Sequence, residues 1–324
     1  MSIYSLFFLL LTTSYHFLAS FQERKTLPPP GKLINIQGNI LHLYCQGQGK
    51  ITVIVDGSLG GIDGYFLIEE IAKLTQVCIY DRAGYGWIKP SFKPRTSQEI
   101  VRELDLLLTQ AKIEPPYILV GDSFGSYNVR LYADKYAEKV AGIVLTDGLH
   151  ESAMLTMSPW LVLLKLFFLS GFIMSVLGSM LGIIRLLGSI GIFELIKPQL
   201  SKFDPIILKQ VKRSFYSHHH WLTMAREIWN LNNSSRQVNQ TSSLGNIPII
   251  NLKATYFFKR SIFNFFLPLN SVDRLREKIH QQLLKLSQNC RQIQANNSSH
   301  FIWIDEPELI PKAIELLLKT TSDL

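Results

Sequence analysis

The chain has 324 residues, enough for one large α/β domain or two average ones, and its 47% hydrophobic content supplies a sizeable core. A net charge of +8 without any dense Lys/Arg run argues against a nucleic-acid partner and suits anionic lipid better. The three cysteines, Cys45, Cys78 and Cys290, are odd in number and far apart, so they read as buried free thiols and not as a disulfide framework or metal site.

Ser2 to Phe21 carries no formal charge, and Ile3 to Ala19 is mostly Leu and Phe. At about 1.5 Å per residue this run is just long enough to cross a thin bilayer. Residues 1–21 are therefore expected to form a single-pass membrane anchor. The alternative is a secretory signal cleaved near Ala19-Ser20, although its usual basic start is missing. Charge begins with Glu23, Arg24 and Lys25, and this flank favours a cytoplasmic domain. Pro28-Pro29-Pro30-Gly31 reads as a stiff spacer.

Strands and helices then alternate. Leu33–Ile36 and Ile40–Cys45 are strands joined by a Gln37-Gly38 hairpin turn. Ile51–Val55, Gln76–Tyr80, Tyr117–Val120 and Gly142–Leu145 are continuous apolar runs, as in strands covered on both faces. Tyr65–Leu74 has helical spacing, and Thr96 with Glu99 opens another helix as a capping box. This rhythm predicts a mostly parallel sheet with helices on both faces.

The run Ile118 to Val120 leads into Gly121-Asp122-Ser123-Phe124-Gly125 and then into a helix over Tyr127–Lys135. Strand, G-x-S-x-G and helix in that order mark Ser123 as a candidate nucleophile in a tight turn, with the Phe124 N–H facing a developing oxyanion. Serine needs a base at neutral pH. His300 fits: it follows the polar loop Asn296 to Ser299 after a strand over Arg291–Gln294, and it precedes a helix start at Glu306-Pro307-Glu308. His218-His219-His220 resembles a metal cluster only superficially, because three adjacent side chains cannot face one ion. No metal and no organic cofactor is expected.

Four motifs in order carry a resemblance. They are Pro28 to Ile34, Asp56 to Gly61 (D-G-S-L-G-G), Asp81 to Trp87 (D-R-A-G-Y-G-W), and Ser299 to Leu309 (S-H-F-I-W-I-D-E-P-E-L). From about Pro28 to Leu318 the chain resembles the α/β-hydrolase superfamily, in particular a bacterial and eukaryotic group of hydrolases. The resemblance implies an eight-stranded sheet divided into core segments 22–150 and 246–324, with a helical cap, 151–245, inserted after the sixth strand. It implies an oxyanion hole from the N–H groups of Leu59 and Phe124. It also implies a triad acid at one of two places: Asp147, closing the strand that ends in Thr146, or Asp273, late after the strand over Ile247–Ala254. Three residues depart from the family pattern: Asp122 beside the nucleophile, Ser126 in place of a helix-packing glycine, and Ser58 in the oxyanion loop.

About a hundred residues separate Asp147 from Ile247. Leu166 to Ile184 is uncharged, but one crossing there would put His300 across the membrane from Ser123. It reads as an apolar lid that lines an acyl pocket or rests on lipid, or else as a packed cap core. Gly171, Gly178 and Gly182 suggest bent or close-packed helices, and Asn232–Ser243 a loop. The expected function is a serine hydrolase cleaving an ester or related acyl bond of a hydrophobic, lipid-derived substrate. The alternative is a catalytically degenerate member that binds lipid or a partner. Epoxide hydrolases and dehalogenases of this fold need a carboxylate where Ser123 stands. Oligomeric state is not specified.

Overall fold

The computed structural model describes residues 2–241, 243–259 and 269–321. Parts of the expected anchor, cap and second core segment (1, 242, 260–268 and 322–324) lie outside the described residues. The elements in chain order are α1 (Ile3–Thr26), β1 (Lys32–Ile36), β2 (Asn39–Gln46), β3 (Thr52–Asp56), α2 (Asp63–Ala72), β4 (Gln76–Asp81), α3 (Ser97–Ala111), β5 (Tyr117–Asp122), α4 (Gly125–Lys135) and β6 (Val140–Thr146). Then follow α5 (Glu151–Leu155), α6 (Pro159–Met180), α7 (Ile183–Ser189), α8 (Ile192–Ile196), α9 (Pro205–Tyr216), α10 (His218–Trp229) and α11 (Leu231–Val238). The chain ends with β7 (Ile249–Ala254), α12 (Leu269–Leu283), β8 (Cys290–Ala295), α13 (Ile302–Asp305) and α14 (Leu309–Thr321).

The eight strands form one sheet in the order β1-β2-β4-β3-β5-β6-β7-β8. Only β2 runs against the others. Gln37 and Gly38 both have positive φ (52° and 89°), which suits the right-handed twist of a two-residue hairpin. β3, β5 and β6 are buried along their whole length, which explains their unbroken apolar character. One face is covered by α3, α4, α11 and α12, the other by α2, α13 and α14. Burying some 60 apolar side chains this way is the main source of stability.

Several local expectations are overturned. Cys45 and Cys78 are not free thiols: directly opposed on antiparallel β2 and β4, they form a disulfide, leaving Cys290 as the free cysteine among the described residues. Sequence separation hid a pair that the sheet register makes adjacent. Asn232–Ser243 is not a loop throughout, because α11 occupies its first half. Leu231, Ser234, Ser235 and Val238 lie on one helical face and are buried; the two small serines let the helix approach the core closely. Gly171 meets nothing within 4 Å, so it marks neither a bend nor close packing in α6.

The Thr96/Glu99 capping box does not form. Thr96 sits at the N-cap but makes no side-chain cap bond, and Glu99 pairs with Arg102 and Lys93. The first N–H groups of α3 are capped from the cap instead: Ser97 N–H donates to Ser234 Oγ (3.0 Å) and Gln98 N–H to Gln237 Oε1 (2.9 Å). Ser97 is fully buried, so Ser234→Ala is expected to leave an unmatched buried donor. A loss of about 1–2 kcal/mol in urea unfolding is expected; an unchanged midpoint would show the trans-cap to be energetically idle.

His220 on α10 is buried against the rings of Tyr85 (5.0 Å) and Phe215 (4.5 Å), with Nδ1 2.8 Å from Ser214 Oγ. Burial, then the Arg82 charge, push its imidazole down to about 3. A histidine depressed in the folded state contributes stability above the unfolded pKa of 6.5, and that stability is lost as pH falls from there toward 3. His220→Gln is therefore expected to flatten the decline in unfolding free energy between pH 7 and pH 5 by about 2 kcal/mol. Parallel pH profiles for the two proteins would rule this out.

Candidate active site

The carboxyl ends of β3, β5, β6 and β7, with the loop after β8, converge at one edge of the sheet. At the end of β5 the chain turns sharply into α4, and Ser123 adopts a left-handed conformation (φ 48°). Such a backbone is strained for a non-glycine residue and is held by its surroundings. Ser123 N–H donates to Thr146 O (3.0 Å), and Ser126 N–H returns to Ser123 O (3.1 Å). The flanking glycines make room: a Cβ on Gly121 would press into Val129 and Ser126, and one on Gly125 would overlap the Asp56 carbonyl.

The three residues singled out by sequence meet here. His300 Nε2 lies 2.9 Å from Ser123 Oγ, and His300 Nδ1 lies 2.5 Å from Asp147 Oδ2. His300 is fixed by its N–H donating to Phe257 O (3.1 Å) and by the Phe257 ring 4.9 Å away. Its loop is tied down where Ser299 N–H donates to Asp305 (2.9 Å). Asp147, also left-handed (φ 43°), follows β6 and donates its N–H to Leu252 O (2.8 Å) on β7. Asp273, the alternative acid, does not reach His300. It accepts from Phe257 N–H (2.8 Å) and from Arg276 Nη1 (3.3 Å).

Sequence reasoning missed how crowded Asp147 is. Besides His300 it accepts from Ala254 N–H (3.1 Å), Arg276 Nε (3.1 Å), Arg276 Nη2 and His280 Nε2 (3.1 Å). Arg276 and His280 are one turn apart on α12, an i, i+4 pair that was the available signal. With Nε2–H given to Asp147, the Nδ1 of His280 accepts from Asn251 Nδ2 (3.0 Å). Burial pushes the Asp147 carboxyl up, but hydrogen bonds from His280 and His300 and the charges of His300 and Arg276 outweigh it. The group is held well below the ordinary carboxylate range.

The loop after β3 carries Leu59. Arg82 grips it, donating to Gly57 O (2.8 Å), Ser58 O (2.6 Å) and Asp56 Oδ1 (2.5 Å). Glu227 of the cap helix α10 takes Arg82 Nε (3.0 Å) and Nη2 (3.1 Å), and also Tyr85 OH (2.6 Å), which in turn accepts from Gly60 N–H (3.2 Å). Asp63 accepts from Ser58 N–H and Ser58 Oγ. Every contact braces the loop, and the N–H groups of Leu59 and Phe124 are left without an acceptor among the described residues.

The three departures from the family pattern resolve into packing. Asp122 is buried and accepts from Thr146 Oγ1 (2.5 Å), and burial together with the Asp63 and Asp147 charges pushes its carboxyl well up. Ser126 Oγ donates to Ser123 O (2.6 Å) and accepts from Leu149 N–H (2.8 Å), linking the elbow to the segment after Asp147. Ser58 Oγ serves Asp63 (3.0 Å). The three adjacent histidines diverge: His218 and His219 lie ring to ring (4.0 Å), while His220 turns into the core.

Comparison with known proteins agrees with this architecture. A family model described as alpha/beta hydrolase fold matches residues 53–170. Two uncharacterized Bacillus subtilis proteins are similar: YqjL at 25% identity over 87% of this chain and 90% of its own, and YbdG at 27% over 41% of this chain and 42% of its own. An uncharacterized vacuolar membrane protein of Saccharomyces cerevisiae is 28% identical over 36% of this chain and 21% of its own length. The chain thus spans less than half of two of these three relatives. Among solved structures, the epoxide hydrolase CorEH superposes with a TM-score of 0.64 at 13% identity, covering 89% of this chain and 98% of that one. A thermophilic esterase from Thermogutta terrifontis gives 0.59 at 16%, covering 90% and 98%. With this sheet order, the matched family model and these superpositions, the chain has the α/β-hydrolase fold.

Proposed function

We propose that the protein is a serine hydrolase that cleaves an ester or related acyl bond of a hydrophobic substrate. The observation that carries this reading is the hydrogen-bonded line Ser123 Oγ, His300 Nε2, His300 Nδ1, Asp147 Oδ2, beside two unmatched backbone N–H groups. Ser123 Oγ attacks the acyl carbon while its proton passes to His300 Nε2. The carbonyl oxygen becomes an oxyanion held by the Leu59 and Phe124 N–H groups, each worth about 3–4 kcal/mol in such a site. Collapse expels the alcohol, which takes the proton from His300. Water, activated by the same imidazole, then adds to the acyl-enzyme and releases the acid. A carboxylate nucleophile, as an epoxide-opening reaction in this fold needs, is replaced by Ser123.

The apolar surface supports a lipid-derived substrate and a membrane setting. α6 has only Ser179 buried, and it exposes Trp160, Leu163, Leu166, Phe167, Ile173 and Met174. Such an area on a soluble face marks a contact surface. One observation favours a second reading, a binding protein without turnover: Arg276 shares the Asp147 carboxylate with His300.

Labelling by a fluorophosphonate probe separates the two readings. The intact chain is expected to label, and Ser123→Ala and His300→Ala to label at least about a hundredfold more slowly. A folded, unreactive wild type would favour the binding protein. Asp147 stays ionised throughout the working pH range, so it sets no limb of the labelling profile. In Arg276→Met its charge would bear on the His300 imidazolium without competition. Labelling at neutral pH is then expected to quicken about threefold; unchanged or slower labelling of the folded variant would show that Arg276 does not tune the pair.

A further inference from the structure

α1 is latched to the cap along a polar stripe. Thr12, His16, Ser20 and Glu23 recur at helical spacing on an otherwise apolar helix. Thr12 Oγ1 and Thr13 Oγ1 donate to Leu181 O (2.8 and 3.3 Å). Gly182, left-handed (φ 76°), has no room for a Cβ because the Thr12 carbonyl occupies that place. One turn on, buried Arg185 sends both terminal nitrogens to Glu23 (2.6 and 2.8 Å), with Ser20 Oγ (3.0 Å) and His16 Nδ1 (3.2 Å) completing its shell. All four of these side-chain hydrogen bonds go to α1. Beyond the helix, Leu27 O accepts from Trp87 Nε1 (3.2 Å).

This latch limits what α1 can do in a bilayer. The part beyond the latch, Ile3–Leu11, is about 13 Å long, less than half of a hydrocarbon core of about 30 Å. It exposes Ile3, Leu6, Phe7, Phe8, Leu10 and Leu11. The end of α6, Met180, is followed directly by Leu181 and Gly182, where Thr12 of α1 docks, so the two apolar helices meet at that junction. Arg24 and Lys25 on the last turn of α1, within a chain of net charge +8, suit an anionic headgroup layer.

Resting on the reading above that these faces meet lipid, we infer that α1 is retained as part of the cap. With α6 it forms one platform embedded in a single leaflet, so the protein is monotopic and its N-terminus lies on the same side as Ser123. This replaces the single-pass anchor suggested by hydropathy alone, and it excludes cleavage near Ala19-Ser20, which would remove Thr12, Thr13 and His16 from the latch.

The test uses the full chain with one epitope before Met1 and another after Leu324, reconstituted into sealed vesicles of phosphatidylcholine and phosphatidylglycerol. Protease added outside is expected to remove both epitopes together in the same vesicle fraction. Their intact mass is expected to include residues 1–26. Single charge reversals, Glu23→Arg or Arg185→Glu, are expected to speed proteolysis of the Pro28–Gly31 spacer by about tenfold, and the double reversal to restore it. Epitopes protected on opposite sides, a mature chain beginning near residue 21, or spacer proteolysis indifferent to the reversals would each overturn the inference and leave the lipid-facing reading standing. No vesicle binding, or an α6 face buried in a dimer of this chain, would overturn both.

Discussion

A guanidinium buried at the carboxyl edge of the sheet cannot be left unpaired, and that requirement organises this molecule around Arg82. Uncompensated, such a charge is strongly destabilising. Its acceptors come from the end of β3, from the Gly57-Ser58 loop and from α10 of the cap. Through one side chain, the sheet, the loop that presents Leu59 and the cap share a single geometry. Tyr85 extends the same network to Gly60 and Glu227, which fixes the loop around Leu59.

How far the sequence was legible follows from the range of each interaction. The buried strands could be read because continuous β-branched runs bounded by turn residues have few other uses. Ser123 could be read because the tight left-handed turn it occupies demands small neighbours, and Gly121 and Gly125 advertise it. Asp147 and His300 could be nominated from their places after strands. What stayed hidden depends on contacts between distant segments. Cys45 and Cys78 look unrelated until the β2–β4 register sets them opposite. The α3 capping residues come from α11, more than 130 positions away. α11 reads as a loop in sequence, since Asn and Ser dominate its composition and only its 3.6-residue face distinguishes it. Arg276 and His280 lacked a strand-end setting and drew no notice.

The departures at Ser126 and Ser58 illustrate why a family pattern is an incomplete guide. Each replaces a glycine, yet each hydroxyl finds a partner that strengthens the place where a glycine would only have made room. Ser126 in particular connects the backbone of Ser123 to Leu149, so the segments that carry Ser123 and Asp147 are joined below the site.

The trans-capping of α3 by Ser234 and Gln237, together with the Glu227 clasp on Arg82, bears on modularity. Caps in folds of this kind look like cassettes that evolution or an engineer could exchange for new specificity. Here the second half of the cap supplies parts that the core lacks: an anion for a buried cation and acceptors for a helix start. A graft that replaces it must carry Glu227, Ser234 and Gln237 equivalents, or the host core will fail before its new pocket can be tried. The stretch between α5 and α9 carries one such debt of its own, since Lys197 pairs with the buried Asp305 carboxylate (3.0 Å) that holds the Ser299 N–H beside His300, so a graft there must keep a cation at that place.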